Sequence, residues 1–77
     1  MKETIEYYVI KLFCIKRNEY TYLYADNPYR AIFIANRYSS YEEGFARMQE
    51  FFQWEDNGRD FDINKSKVAK ITLTIED

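Results

Sequence analysis

Residues 4–16, TIEYYVIKLFCIK, are β-branched and aromatic with neither Gly nor Pro, and they stop at the polar group Lys16, Arg17, Asn18, Glu19. This pattern predicts a long strand. A second run, residues 20–25, follows so closely that only an antiparallel hairpin connects the two. With Arg17 and Asn18 as a two-residue turn, Lys16 lies opposite Glu19, Ile15 opposite Tyr20, Phe13 opposite Tyr22 and Lys11 opposite Tyr24. Alternate residues of a strand point to opposite faces, so the other side collects Cys14 with Thr21, Leu12 with Leu23 and Ile10 with Ala25. That second side, extended by Tyr8, has no charge until Glu6, and is the expected core face.

The hydrophobic period then changes. Asp26-Asn27-Pro28 has the ingredients of a helix start, an Asn or Asp cap with Pro at the first helical position, and predicts a helix over 28–37. Ala31, Ile32, Ala35 and Tyr38 share one face of it, with Arg30 and Arg37 outward and Phe33 and Ile34 on the flanks. The competing pattern makes residues 30–36 a third strand after a turn at Asn27-Pro28, supported by the β-propensity of Ile-Phe-Ile.

Ser40 followed by Glu43 has capping-box spacing, and acidic residues suit the positive end of a helix dipole. In the helix that follows, Tyr41, Gly44, Phe45, Met48, Phe51 and Phe52 form one stripe opposite Arg47, Gln49, Glu50 and Gln53, and Gly58 is the expected stop. A polar connector through Asn64 to Ser66 leads to a strand over 67–76, where Ala69, Ile71, Leu73 and Ile75 alternate with Val68, Lys70, Thr72 and Thr74. The expectation is an α+β fold: a two-layer β-β-α-α-β sandwich, with a three-stranded sheet and helices on one face, or β-β-β-α-β if 30–36 is a strand.

Composition narrows the class. With 77 residues, 47% hydrophobic and 31% charged, the chain reads as a single folded domain over 1–77. A domain this small buries only about 60 to 65% of its unfolded surface, so a partner or a second copy would help it. A net charge of −2 argues against coating of phosphate backbones in general. Cys14 alone makes no intramolecular disulfide and fits a small buried hydrophobe in a reducing compartment. No cleavable apolar segment follows Met1, and no run approaches the roughly 18 residues that span a bilayer, so a cytoplasmic protein with no membrane contact is expected.

Chemistry is sparse. The chain has no histidine, the commonest acid–base residue and transition-metal ligand, and a single cysteine builds no thiolate zinc site. Gly44 and Gly58 lie in no phosphate-loop pattern. The stretch 55–62, EDNGRDFD, concentrates carboxylates, but Arg59 interrupts it and no Glu stands where a calcium loop needs one; a solvated acidic turn is expected. Glu55 and Asp56 sit near a helix's negative end, a placement that a basic partner would relieve. Glu42 and Glu43 read as a solvated helix start. No catalytic residue, metal site or cofactor is expected.

What remains is the outer side of the hairpin, with Tyr7, Val9, Lys11, Phe13 and Ile15 beside Tyr20, Tyr22 and Tyr24. An exposed aromatic sheet usually marks a macromolecular contact, because Tyr combines area with a hydrogen bond at little rotamer cost. The candidate partner-binding residues are therefore Tyr7, Lys11, Phe13, Tyr20, Tyr22 and Tyr24, with Asp56, Asp60 and Asp62 in the acidic segment. Trp54 is expected as an edge residue packed by Arg47. The function expected is binding of a host protein or protein complex, in the manner of small inhibitors or adaptors that phages and other mobile elements direct against host defence, anti-CRISPR proteins included. One alternative is a single-stranded nucleic-acid module that stacks bases on Tyr20, Tyr22 and Tyr24, although no RNP-type motif accompanies Lys11, Lys16, Arg17 and Lys70. Another is a small homodimer.

Overall fold

A computed structural model describes residues 2–76. Its elements are strands β1 (Lys2–Cys14), β2 (Glu19–Tyr24), β3 (Asn27–Tyr29) and β4 (Phe61–Glu76), and helices α1 (Tyr41–Phe52) and α2 (Glu55–Asp60). A 3-10 turn, Ile32–Ile34, lies between β3 and α1. The strands form one antiparallel sheet in the order β3-β2-β1-β4, with both helices packed on one face. The two-layer α+β architecture is the expected one, with four strands where three were read.

The hairpin register differs by two positions. Cys14 pairs with Glu19, Phe13 with Tyr20, Leu12 with Thr21 and Lys11 with Tyr22, so the connection spans residues 15–18. Asn18 takes a left-handed conformation (φ 53°), which Asn tolerates better than most residues, and Ile15 extends the pairing with the β4 side, its N–H donating to the Asp60 carbonyl at 3.0 Å. A slip of two preserves every side chain's face, whereas a slip of one would have inverted them all.

Residues 28–37 do not form a helix, and no strand covers 30–36. Strand β3 falls earlier, with Tyr29 opposite Tyr22 and Asn27 opposite Tyr24 across the two-residue turn Ala25-Asp26. Pro28 is tolerated because β3 is an edge strand. Tertiary bonds then take the backbone groups that a helix would need: the Asn36 N–H donates to the Leu23 carbonyl at 3.0 Å, and Tyr8 and Tyr38 exchange both backbone bonds at 2.8 Å. Asn36 Oδ1 accepts from the Ala25 N–H at 2.6 Å, and Arg30 pairs with Glu19 at 2.9 Å. Local propensity loses to these contacts.

The core comprises Ile10, Leu12, Leu23, Met48, Phe51 and Phe61, with Cys14, Tyr38 and Phe52 packed against it. Helix α1 begins as expected: Ser40 Oγ accepts from the Glu43 N–H at 3.2 Å. The Glu43 carboxylate, however, accepts from the Ser39 hydroxyl at 2.6 Å. Gly44 lets α1 lie close to β4, since a Cβ there would fall 2.9 Å from Val68 Cγ1. Gly58 is not the helix stop; it lies inside α2 without positive φ, and the Asn57 side chain instead donates to the Phe51 carbonyl at 2.8 Å. Residues 61–66 are not a connector but the start of β4, because Phe61 is buried against Phe51 with ring centroids 5.5 Å apart. No helix among the described residues is long and apolar enough to cross a membrane.

Candidate macromolecular interface

Alternation along the strands puts Tyr7, Val9, Lys11 and Phe13 of β1, and Tyr20, Tyr22 and Tyr24 of β2, on the side away from the helices. This side is not a continuous open sheet. Val9 is fully buried yet lies outside the helical core cluster, so something covers it from the outer side. The segment of residues 30–37 runs from β3 back to its backbone bond with Leu23, next to the Tyr8–Tyr38 bridge. Tyr7, Tyr20 and Tyr22 are half-buried, and Tyr24 is the most open of the predicted tyrosines at 47% exposure. Tyr24 packs edge-on to Tyr29 at 6.0 Å, and Arg37 lies 4.4 Å above the Tyr7 ring.

Between the covered centre and the 15–18 loop, cations sit on aromatic rings. Phe13 and Tyr20 pack edge to face at 5.2 Å. The Lys11 ammonium stands 4.3 Å and that of Lys67 5.8 Å from the Tyr20 ring centre, and that of Lys65 stands 4.6 Å from the Phe13 ring. The Tyr20 hydroxyl donates to the Lys65 carbonyl at 3.0 Å.

A wide bulge creates this arrangement. Lys11 pairs with Lys67 and Phe13 with Asp62, so residues 63–66 all stand opposite Leu12. Deprived of its ladder partner, the Phe13 N–H donates to Ser66 Oγ at 3.0 Å, and the same hydroxyl donates to the Asp62 carbonyl at 2.8 Å. Ser66 is buried, and this clasp satisfies it.

The electrostatics of the two sides differ. Among the described residues, Lys2, Arg30, Arg47, Arg59 and Lys70 form ion pairs, whereas Lys11, Arg37, Lys65 and Lys67, like Lys16 and Arg17 of the hairpin loop, form none. Helices α1 and α2 carry Glu42, Glu43, Glu50, Glu55, Asp56 and Asp60 on the opposite side. Lys11 and Lys67 are direct cross-strand neighbours, a like-charge pairing that costs stability unless a counter-charge relieves it.

The acidic segment does not act as one unit. Asp56 and Asp60 belong to α2, with Asp56 held by Arg59, while Asp62 lies in β4 and accepts from the Asn64 N–H at 2.9 Å. No group of three metal-ligating side chains occurs among the described residues. Trp54 is 73% exposed instead of packed by Arg47, which reaches Asp26 at 2.6 Å and the Ala25 carbonyl at 3.0 Å. A cleft of about 540 Å³ lies there, between Asp26, Arg47, Glu50, Trp54 and Asp56. Tyr38, between β1 and α1, has its phenol pKa raised, chiefly by burial; Arg47 opposes the shift, and Glu43 and Glu50 add to it.

Comparison with protein-family models, curated proteins and solved structures finds no match. The residues that the sequence did not single out are Lys65, Lys67 and Arg37. Alternation assigns Lys67 to the outer side once β4 is paired with β1, but the bulge that brings Lys65 over Phe13 leaves no local trace.

Proposed function

We propose that this protein is a non-enzymatic binding module that receives an acidic surface of a partner protein on Lys11, Lys65 and Lys67, with Phe13 and Tyr20 as the apolar floor. The observation that carries this reading is the Lys11–Lys67 pair, two like charges held side by side near one ring, neither of them in an ion pair among the described residues. A carboxylate from outside would turn that repulsion into attraction while the rings supply contact area, the combination found at energetic centres of interfaces. The expected form of such a module is a small inhibitor or adaptor acting on a host protein, of the anti-defence kind that mobile elements encode.

Base stacking is the less favoured use. The ring faces of Tyr20 and Phe13 already hold ammonium groups, which a base would have to displace.

The test is affinity capture from a bacterial lysate at low and high salt, with Lys11→Glu/Lys67→Glu as the paired bait and circular dichroism to confirm that both baits are folded. The reading predicts one stoichiometric protein that salt releases and the double variant fails to hold. Capture that is indifferent to the charge reversal overturns it. So does tight binding of a labelled single-stranded oligonucleotide that Tyr20→Ala abolishes.

A further inference from the structure

Beyond Tyr8 the sheet narrows to a ribbon. Residues 2–7 of β1 pair with 71–76 of β4, and no other strand joins them among the described residues. The ribbon's two sides are unlike. Toward the helical side stand Lys2, Thr4 and Glu6 with Glu76, Thr74 and Thr72, joined by Lys2–Glu76 and Lys70–Glu6 ion pairs, each at 3.2 Å. On the other side Ile5 faces Leu73, Tyr7 faces Ile71 and Glu3 faces Ile75. Ile5, Leu73 and Ile75 are 41, 41 and 42% exposed. A two-stranded ribbon is at best marginal in water, and one with a bare apolar side needs a cover.

We infer that the cover is a second copy of this chain, with the two ribbons face to face about a two-fold axis passing beside Ile5 and Leu73. The stripe is self-complementary about that point, which is what a two-fold interface requires. Glu3 lies two residues toward the tip and Tyr7 two residues toward the body, about 6.6 Å on either side at the rise of a strand. Antiparallel superposition therefore sets Glu3 of each copy over Tyr7 of the other, where the Arg37 guanidinium waits 4.4 Å above the ring. Neither Glu3 nor Arg37 has an ion-pair partner among the described residues of its own chain, so each copy supplies the charge that the other lacks, twice over. Ile75 meets Ile71 in the same arrangement, and the Ile5–Leu73 pairs meet at the axis. The Arg37 guanidinium over Tyr7 marks the end of the stripe toward the body. Lys11, Lys65 and Lys67 lie beyond that step and stay free in the dimer, so this seam does not depend on the docking face proposed above.

The stripe is small beside the roughly 800 Å² per partner of a standard interface, so the dimer is weak and concentration-dependent. Sedimentation velocity from about 5 µM to about 1 mM reads it directly, with the weight-average coefficient rising toward that of a dimer. Leu73→Asp abolishes the rise. Glu3→Arg and Arg37→Glu each raise the dissociation constant about tenfold, and the double reversal restores it to within about threefold, since the pair is only exchanged across the axis. Both charge positions are on the surface, and circular dichroism at the lowest concentration checks that each variant is folded. A monomer throughout the range overturns the inference. A dimer indifferent to Leu73→Asp, or a double reversal no better than the single ones, does the same.

Discussion

Replacement of Ser66 by Ala isolates the clasp that holds the β4 bulge. The hydroxyl accepts from the Phe13 N–H at 3.0 Å and donates to the Asp62 carbonyl at 2.8 Å, and only 7% of the residue is exposed. Removing the oxygen leaves one donor and one acceptor without partners at a site that water reaches poorly. Each orphaned group costs about 1 to 3 kcal/mol when fully enclosed. Phe13 and Asp62 are half-buried, so partial hydration brings the pair to a total of about 2 kcal/mol. That is a large share of the roughly 5 to 10 kcal/mol available to a small domain.

Urea unfolding at equilibrium measures the loss: with a slope of about 1 kcal/mol per molar, the midpoint falls by about 2 M without a change of slope. Asn64→Ala is the control, because only the backbone of Asn64 serves the bulge, and it stays within about 0.5 kcal/mol of the parent. A loss below about 0.5 kcal/mol for Ser66→Ala, or one matched by the control, refutes the clasp as the source of the bulge's stability.

Two further outcomes follow from local geometry. Ala25 sits at φ 54°, a region that costs an L-residue about 1 to 2 kcal/mol, partly offset in Ala25→Gly by the greater freedom of the unfolded chain. The variant should gain about 0.5 to 1 kcal/mol in thermal unfolding, and a lowered Tm would contradict the strain. Tyr38 has a phenol pKa raised above the ordinary 10.0, mainly by burial, so it contributes stability that is intact below pH 10 and lost as pH climbs through the folded-state value. Thermal melts from about pH 8 to 11.5 should fall less steeply for Tyr38→Phe than for the parent, and equal slopes would dismiss the linkage.

What the sequence reveals depends on how far apart the deciding atoms lie. Helix α1 was legible because its start rests on Ser40 and Glu43, three residues apart, and its face on a three- and four-residue repeat. The faces of β1 and β2 were legible because alternation is a property of each strand, and a two-residue slip leaves it intact. Residues 28–37 were not. Their shape is set by Leu23, Tyr8 and Glu19, which bind backbone and side-chain groups that a local reading must leave free. The start of β4 was hidden for a like reason. Asp62, Asn64, Lys65 and Ser66 read as polar linker, yet Phe61 is anchored in the core and Ser66 binds the backbone of Phe13, 53 residues away in sequence. The candidate site suffered most, since Lys11 and Lys67 become neighbours only through the pairing of the first strand with the last.

The overhang at one end of the sheet is a matter of lengths. A helix of 12 residues rises about 18 Å, while a 16-residue strand spans about 50 Å, so α1 alone matches little more than a third of β4, and the six residues of α2 add only about 9 Å. The molecule is 47 Å long against 24 and 20 Å in the other directions, which is the dimension of the strand rather than of the packed layers. Fold stability alone gives little reason for this side of residues 2–7 and 71–76 to be so apolar, because Ile5, Leu73 and Ile75 stay exposed and only Tyr7 is overlaid, by the Arg37 guanidinium. A ribbon that served only as a solvated end would alternate polar residues on both sides, as its helical side already does with Lys2, Thr4 and Glu6. The contrast between those sides, on the same two strands, is the observation on which the proposed two-fold seam rests.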